Sequence, residues 1–152
     1  MTKIMLIFFL TSFTLVATAD NHIMKTAEEL EWKEGLKSLP AGSQVVMLEG
    51  DPTKKGPFTI RLKFPANYKI MPHWHSQIEH VTVLEGKFHM GAGEKMDEAK
   101  AHVLPVGGFA VMPMKFRHFA FTTDQSATVQ LHGMGPWDIN YLNPADDPRK
   151  QK

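Results

Sequence analysis

The stretch "PHWHSQIEHVTVLEG", residues 72–86, sets three histidines and a glutamate against the start of a run of β-branched and apolar residues. Such a run, bounded by Pro and Gly, reads as a buried strand. His73 and His75 lie two apart, so in an extended segment both rings project to one side. Glu79 has the same parity, whereas Trp74 and His80 have the opposite one and are expected to point away. Neutral imidazole suits zinc, copper, iron and nickel, and a carboxylate offsets part of a dication's charge. Without a metal, a buried carboxylate among imidazoles meets a desolvation penalty. The stretch therefore predicts His73, His75 and Glu79 as ligands of one divalent transition metal (Fe, Mn, Zn, Ni or Cu) inside a β structure.

The flanking sequence is of the same kind. Short β-rich runs, "QVVMLEGDP" (44–52), "GPFTIRLKFPAN" (56–67), "KFHMGAG" (87–93), "FAVMP" (109–113), "HFAFT" (118–122) and "ATVQLHG" (127–133), are punctuated by Gly, Pro and Asp. In "FTIRLKF" the apolar Phe58, Ile60, Leu62 and Phe64 share one face and Thr59, Arg61 and Lys63 the other. This spacing predicts an all-β fold, an antiparallel sandwich or barrel, over residues 43–143. Residues 20–42 read as an N-terminal arm and residues 144–152 as a solvated tail. "GAGEKMDEAKA" (91–101) reads as an exposed loop.

These residues resemble the cupins, small jelly-roll barrels with two motifs. The first runs Gly, five residues, His-x-His, three or four residues, Glu, six residues, Gly; His73, His75, Glu79 and Gly86 fall in register, with Asn67 at the first glycine. The second is matched in "GGFAVMPMKFRHFAFT" (107–122) by Gly107, Pro113 and His118, with Lys115 in place of a glycine and Thr122 in place of an asparagine. The resemblance implies a single antiparallel jelly-roll barrel and a metal site of His73, His75, Glu79 and His118. More narrowly, the chain is similar to small single-domain cupins like the barrel of the ChrR anti-sigma factor. No separate sigma-binding domain fits in 152 residues, so that regulatory role does not carry over. Cupins frequently pair, so the resemblance also offers a homodimer.

The ends and the totals bound the remaining possibilities. Residues 1–19 read as a secretory signal peptide: Lys3, an apolar run, then Ala17 and Ala19 before Asp20. The uncharged run of residues 4–19 is shorter than the roughly 20 residues a spanning helix needs. Export to a bacterial periplasm is expected, with no membrane association after cleavage. There are no cysteines, which excludes disulfides and thiolate metal sites. The net charge of +1 gives no electrostatic reason to expect a nucleic-acid partner.

Several residues keep two readings. Arg61, Gln130 and His132 either line the pocket or lie on an outer face. Trp137 and Tyr141 either close one end of the barrel or contribute to a dimer surface. The ten methionines admit copper but read chiefly as core filler. An open coordination sphere in a dry barrel points to a metal-dependent enzyme acting on a small molecule, with dioxygenase chemistry among its options. The alternative is a non-catalytic, metal-dependent binding or sensing module. A histidine proton relay is weaker, because a base needs one placed titrating group rather than three convergent rings.

Overall fold

The computed structural model describes residues 22–151. The signal peptide read in residues 1–19 lies outside them. Among the described residues the strands are β1 (Lys33–Glu34), β2 (Gln44–Glu49), β3 (Gly56–Phe64), β4 (Lys69–Trp74), β5 (Glu79–Gly86), β6 (Phe88–Ala92), β7 (His102–Leu104), β8 (Phe109–Met112), β9 (His118–Phe121), β10 (Ala127–Gly135) and β11 (Asn140–Tyr141). Helix is confined to short 3-10 turns, and no helix there is long and apolar enough to cross a membrane.

The strands form two antiparallel sheets, in the orders β1-β2-β3-β10-β5-β8 and β11-β4-β9-β6-β7. From β3 to β6 the chain crosses between sheets at every step, and it does so again from β7 to β11. Neighbours in a sheet are therefore remote in sequence: β10 pairs with both β3 and β5, and β9 with both β4 and β6. This is the connectivity of a jelly roll. No ladder joins the two sheets, so the expected barrel is an open pair of sheets rather than a closed cylinder.

Alternation along the strands builds the core. Phe58, Ile60, Leu62 and Phe64 of β3 are all buried, as are Val81 and Val83 of β5 and Val129 and Leu131 of β10. Phe64 of the first sheet stacks on Phe88 of the second, with centroids 5.3 Å apart and planes 9° from parallel.

Three details depart from the sequence reading. β4 was not among the runs read as strands, because Pro72 lies within it and lacks the N–H a ladder uses; the β4–β9 register shifts between Ile70 and His73. Of residues 91–101, read as a loop, Gly91 and Ala92 end β6 and Glu98–Lys100 form a 3-10 turn. Residues 144–151, read as solvated, hold two such turns, Pro144–Asp146 and Pro148–Lys150, and between them Asp147 is only 5% exposed. Arg149 bonds the Asp147 carboxylate and donates to the Ile139 carbonyl at 2.8 Å.

At the other end, Lys33 and Glu34 pair with β2, and the following segment carries Leu39 into the interior. Two tyrosine hydroxyls hold that segment: Tyr68 donates to the Pro40 carbonyl, and Tyr141 to the Ser38 carbonyl at 2.8 Å. Burial pushes the Tyr68 hydroxyl up to about 12, so it remains a donor at ordinary pH.

Candidate metal centre

Each of the four candidate side chains arrives from a different local device. His73 and His118 face each other as a cross-strand pair of β4 and β9, their rings 4.3 Å apart. His75 follows β4, where the chain turns toward β5. That turn is pinned twice: the Ser76 N–H donates to Asp138 Oδ1 at 2.9 Å, and the Lys115 N–H donates to the His75 carbonyl at 2.8 Å. Glu79 opens β5 in the opposite sheet. Parity along one extended segment therefore does not explain its position, as the sequence reading had it. The turn between the sheets does.

The four groups are buried, with exposures of 3% for His73, 1% for His75, 6% for Glu79 and 2% for His118. One ligand atom from each of the three histidines lies within 4.8 Å of the others. Glu79 Oε2 sits 3.4 Å from His75 Nε2 and 3.5 Å from His118 Nε2.

Backbone carbonyls orient every ring. His73 Nδ1 lies 2.7 Å from the Met71 carbonyl, His75 Nδ1 2.6 Å from that of Asp138, and His118 Nδ1 3.0 Å from that of Phe116. A carbonyl only accepts, so each Nδ1 carries the proton and, in the neutral ring, each Nε2 keeps its lone pair. This is the outer-shell arrangement that directs histidines at a metal.

Electrostatics act in the same sense. Burial, with His118 and His75 nearby, holds His73 well below its ordinary 6.5, so that ring is neutral. Burial works to raise the Glu79 carboxyl, but His75 and His118 hold it well below the usual carboxylate range. His75 Nε2 is buried and makes no well-formed hydrogen bond, its nearest polar neighbour being Glu79 Oε2 at 3.4 Å. An orphaned nitrogen facing a buried carboxylate is costly, and a cation between them would satisfy both. These residues fit a divalent first-row metal held by nitrogen and oxygen.

Beside the four groups lies a cavity of about 30 Å³ with a largely hydrocarbon wall. Trp137 lines it and stacks on the His75 ring, centroids 4.5 Å apart and planes 22° from parallel. Leu39 lines it from the N-terminal segment. Of the two readings of Trp137, closure of the interior agrees with its 7% exposure. Its place at the site had no signal in the sequence, since it stands 62 positions from the ring it covers.

Arg61, Gln130 and His132 do not line the cavity. Arg61 Nε donates to Gln130 Oε1 at 3.1 Å on neighbouring strands. His132 stacks on His80, rings 4.6 Å apart and 6° from parallel, on the outer face of the first sheet.

The departures from the cupin motifs are accommodated. Asn67 and Lys115, each standing at a motif glycine, both adopt left-handed backbone, with φ of 59° and 61°. Thr122, standing at the motif asparagine, donates to the Pro65 carbonyl at 2.6 Å and accepts from the Tyr68 N–H at 2.9 Å.

Comparison with known proteins agrees with this architecture. No curated protein matches the chain. Among solved structures, the polyketide cyclase RemF of Streptomyces resistomycificus aligns with a TM-score of 0.67 at 16% identity, over 84% of this chain and 92% of its own. A candidate acetylacetone dioxygenase from Methylibium petroleiphilum aligns at 0.64 and 16%, over 88% and 90%. An RmlC-like cupin from Ralstonia eutropha aligns at 0.60 and 18%, over 80% and 73%. At such identities these likenesses concern the fold. The ChrR Cupin-like domain family matches residues 20–136, most of the chain, and the protein therefore belongs to that family of cupins.

Proposed function

We propose that this chain is an exported, metal-dependent enzyme acting on a small molecule, with oxygenase-like chemistry. His73, His75, Glu79 and His118 hold one divalent transition metal. The observation that carries the reading is the convergence of three buried imidazoles, each oriented by a backbone carbonyl, with one carboxylate beside an apolar cavity. The solved structure described as a candidate acetylacetone dioxygenase supports it as a parallel on the same fold. The signal-like residues 1–19 support export.

When bound, a divalent ion supplies Lewis acidity to an oxygen-bearing ligand and, for iron or copper, a redox couple toward O₂. The chain's own residues do the rest. Glu79 balances part of the charge, the three Nδ1–carbonyl bonds fix the rings, and the hydrocarbon wall limits water.

The test is elemental analysis of protein from its native compartment, followed by O₂ uptake after loading with Fe(II), Mn(II), Ni(II) or Cu(II). A metal near one per chain is expected, falling below about a tenth of that in His118→Ala, since loss of a ligand costs far more than the 10–100-fold typical of an outer-shell partner. Full metal content in His118→Ala would end the reading. The small cavity favours a second reading, a non-catalytic binding or sensing module. Tight metal binding with no turnover on any substrate panel selects that one.

A further inference from the structure

Among the described residues, the side chains lining the cavity offer few polar atoms. Three are the imidazoles, whose Nδ1 atoms are committed to carbonyls, and one is the Glu79 carboxylate, which only accepts. The fifth polar group is the indole of Trp137. Its Nε1–H is buried and has no hydrogen-bond partner. The ring lies flat against His75, so its position is coupled to that of a metal-site ligand. Buried donors left unpaired in a folded protein are few, and each calls for an occupant.

The rest of the wall is hydrocarbon: Leu62, Val81, Met90 and Leu131 come from the sheets, and Leu39 from the N-terminal segment. It contains no cationic side chain. An ionised group on the body of a ligand would be desolvated there without a partner, which strongly disfavours it. The volume of about 30 Å³ restricts the body of a ligand to a few atoms.

Resting on the metal reading above, we propose that the site takes a compact ligand with an oxygen-donor head and a short uncharged aliphatic body. Trp137 Nε1–H donates to an oxygen of the head. Leu39 sets the length of body admitted, because it lines the cavity from the N-terminal segment, whose backbone is held by the Tyr68 and Tyr141 hydroxyls.

The experiment uses the Zn(II)-loaded full chain and simple hydroxamates as probes. Indole ¹H–¹⁵N signals of Trp32, Trp74 and Trp137 are assigned from Trp32→Phe and Trp74→Phe, so the assignment needs no change at the cavity. Saturation with acetohydroxamate is expected to move the Trp137 signal downfield and leave the other two in place. Acetohydroxamate is expected to bind about tenfold more tightly than hexanohydroxamate or than a hydroxamate ending in a carboxylate, a difference of the size one partnered buried group makes. Leu39→Ala should erase the preference against hexanohydroxamate while keeping that against the carboxylate. An unmoved Trp137 signal at saturation, or equal affinity for the charged probe, overturns this proposal and leaves the metal reading standing. Failure of Zn(II) to bind at all overturns both.

Discussion

At the scale of single residues, protons and metal compete for the same atoms. Burial alone lowers the affinity of His75 for a proton, but the Glu79 carboxylate beside it reverses this and raises the ring's pKa above 6.5. Below that raised value the metal-free ring carries a proton at Nε2, and an incoming ion must displace it. Zn(II) binding is therefore expected to release a proton at pH about 6.5, with the release fading as pH rises through the raised value. Calorimetry in buffers of different ionisation enthalpy measures it. Binding without proton release at that pH contradicts the assignment. The candidate cluster can be read in the sequence because His73, His75 and Glu79 are close in it. The raised pKa cannot, since it arises from a contact made across a turn between two sheets.

At the scale of elements, two turns carry side chains where the backbone prefers none. Lys115 at φ 61° lies in the turn whose N–H grips the His75 carbonyl. A left-handed residue with a Cβ is strained by roughly 1–2 kcal/mol, part of which glycine returns as unfolded-state entropy. Lys115→Gly is accordingly expected to stabilise by up to about 1 kcal/mol, raising the thermal midpoint by about 2–4 °C with metal content unchanged. A lower midpoint would show that the lysine side chain supports the turn. The long strands with clean alternation, such as "FTIRLKF", could be read directly from sequence. β4, with Pro72 inside it and a register shift, could not, and neither could β7 and β11, of three and two residues. Their existence depends on partners distant in the chain.

At the scale of the whole molecule, the two sheets meet through side chains rather than a shared ladder. The Phe64–Phe88 stack is one such meeting point, with the Tyr68 ring 5.1 Å from Phe64. Phe64→Ala is expected to cost about 3–5 kcal/mol, read as a lower denaturant midpoint of the metal-free protein. A loss below about 1 kcal/mol would mean that the interior collapses around the gap. The candidate donors straddle the same division, His73 and His118 on one sheet and Glu79 on the other. An ion held there would act as a rivet through the seam: at a free concentration a hundredfold above its dissociation constant it would add about 2.7 kcal/mol to the stability of the folded form. Under the proposed metal binding, occupancy and durability would then be one quantity, so that copies without an ion would be the first to come apart.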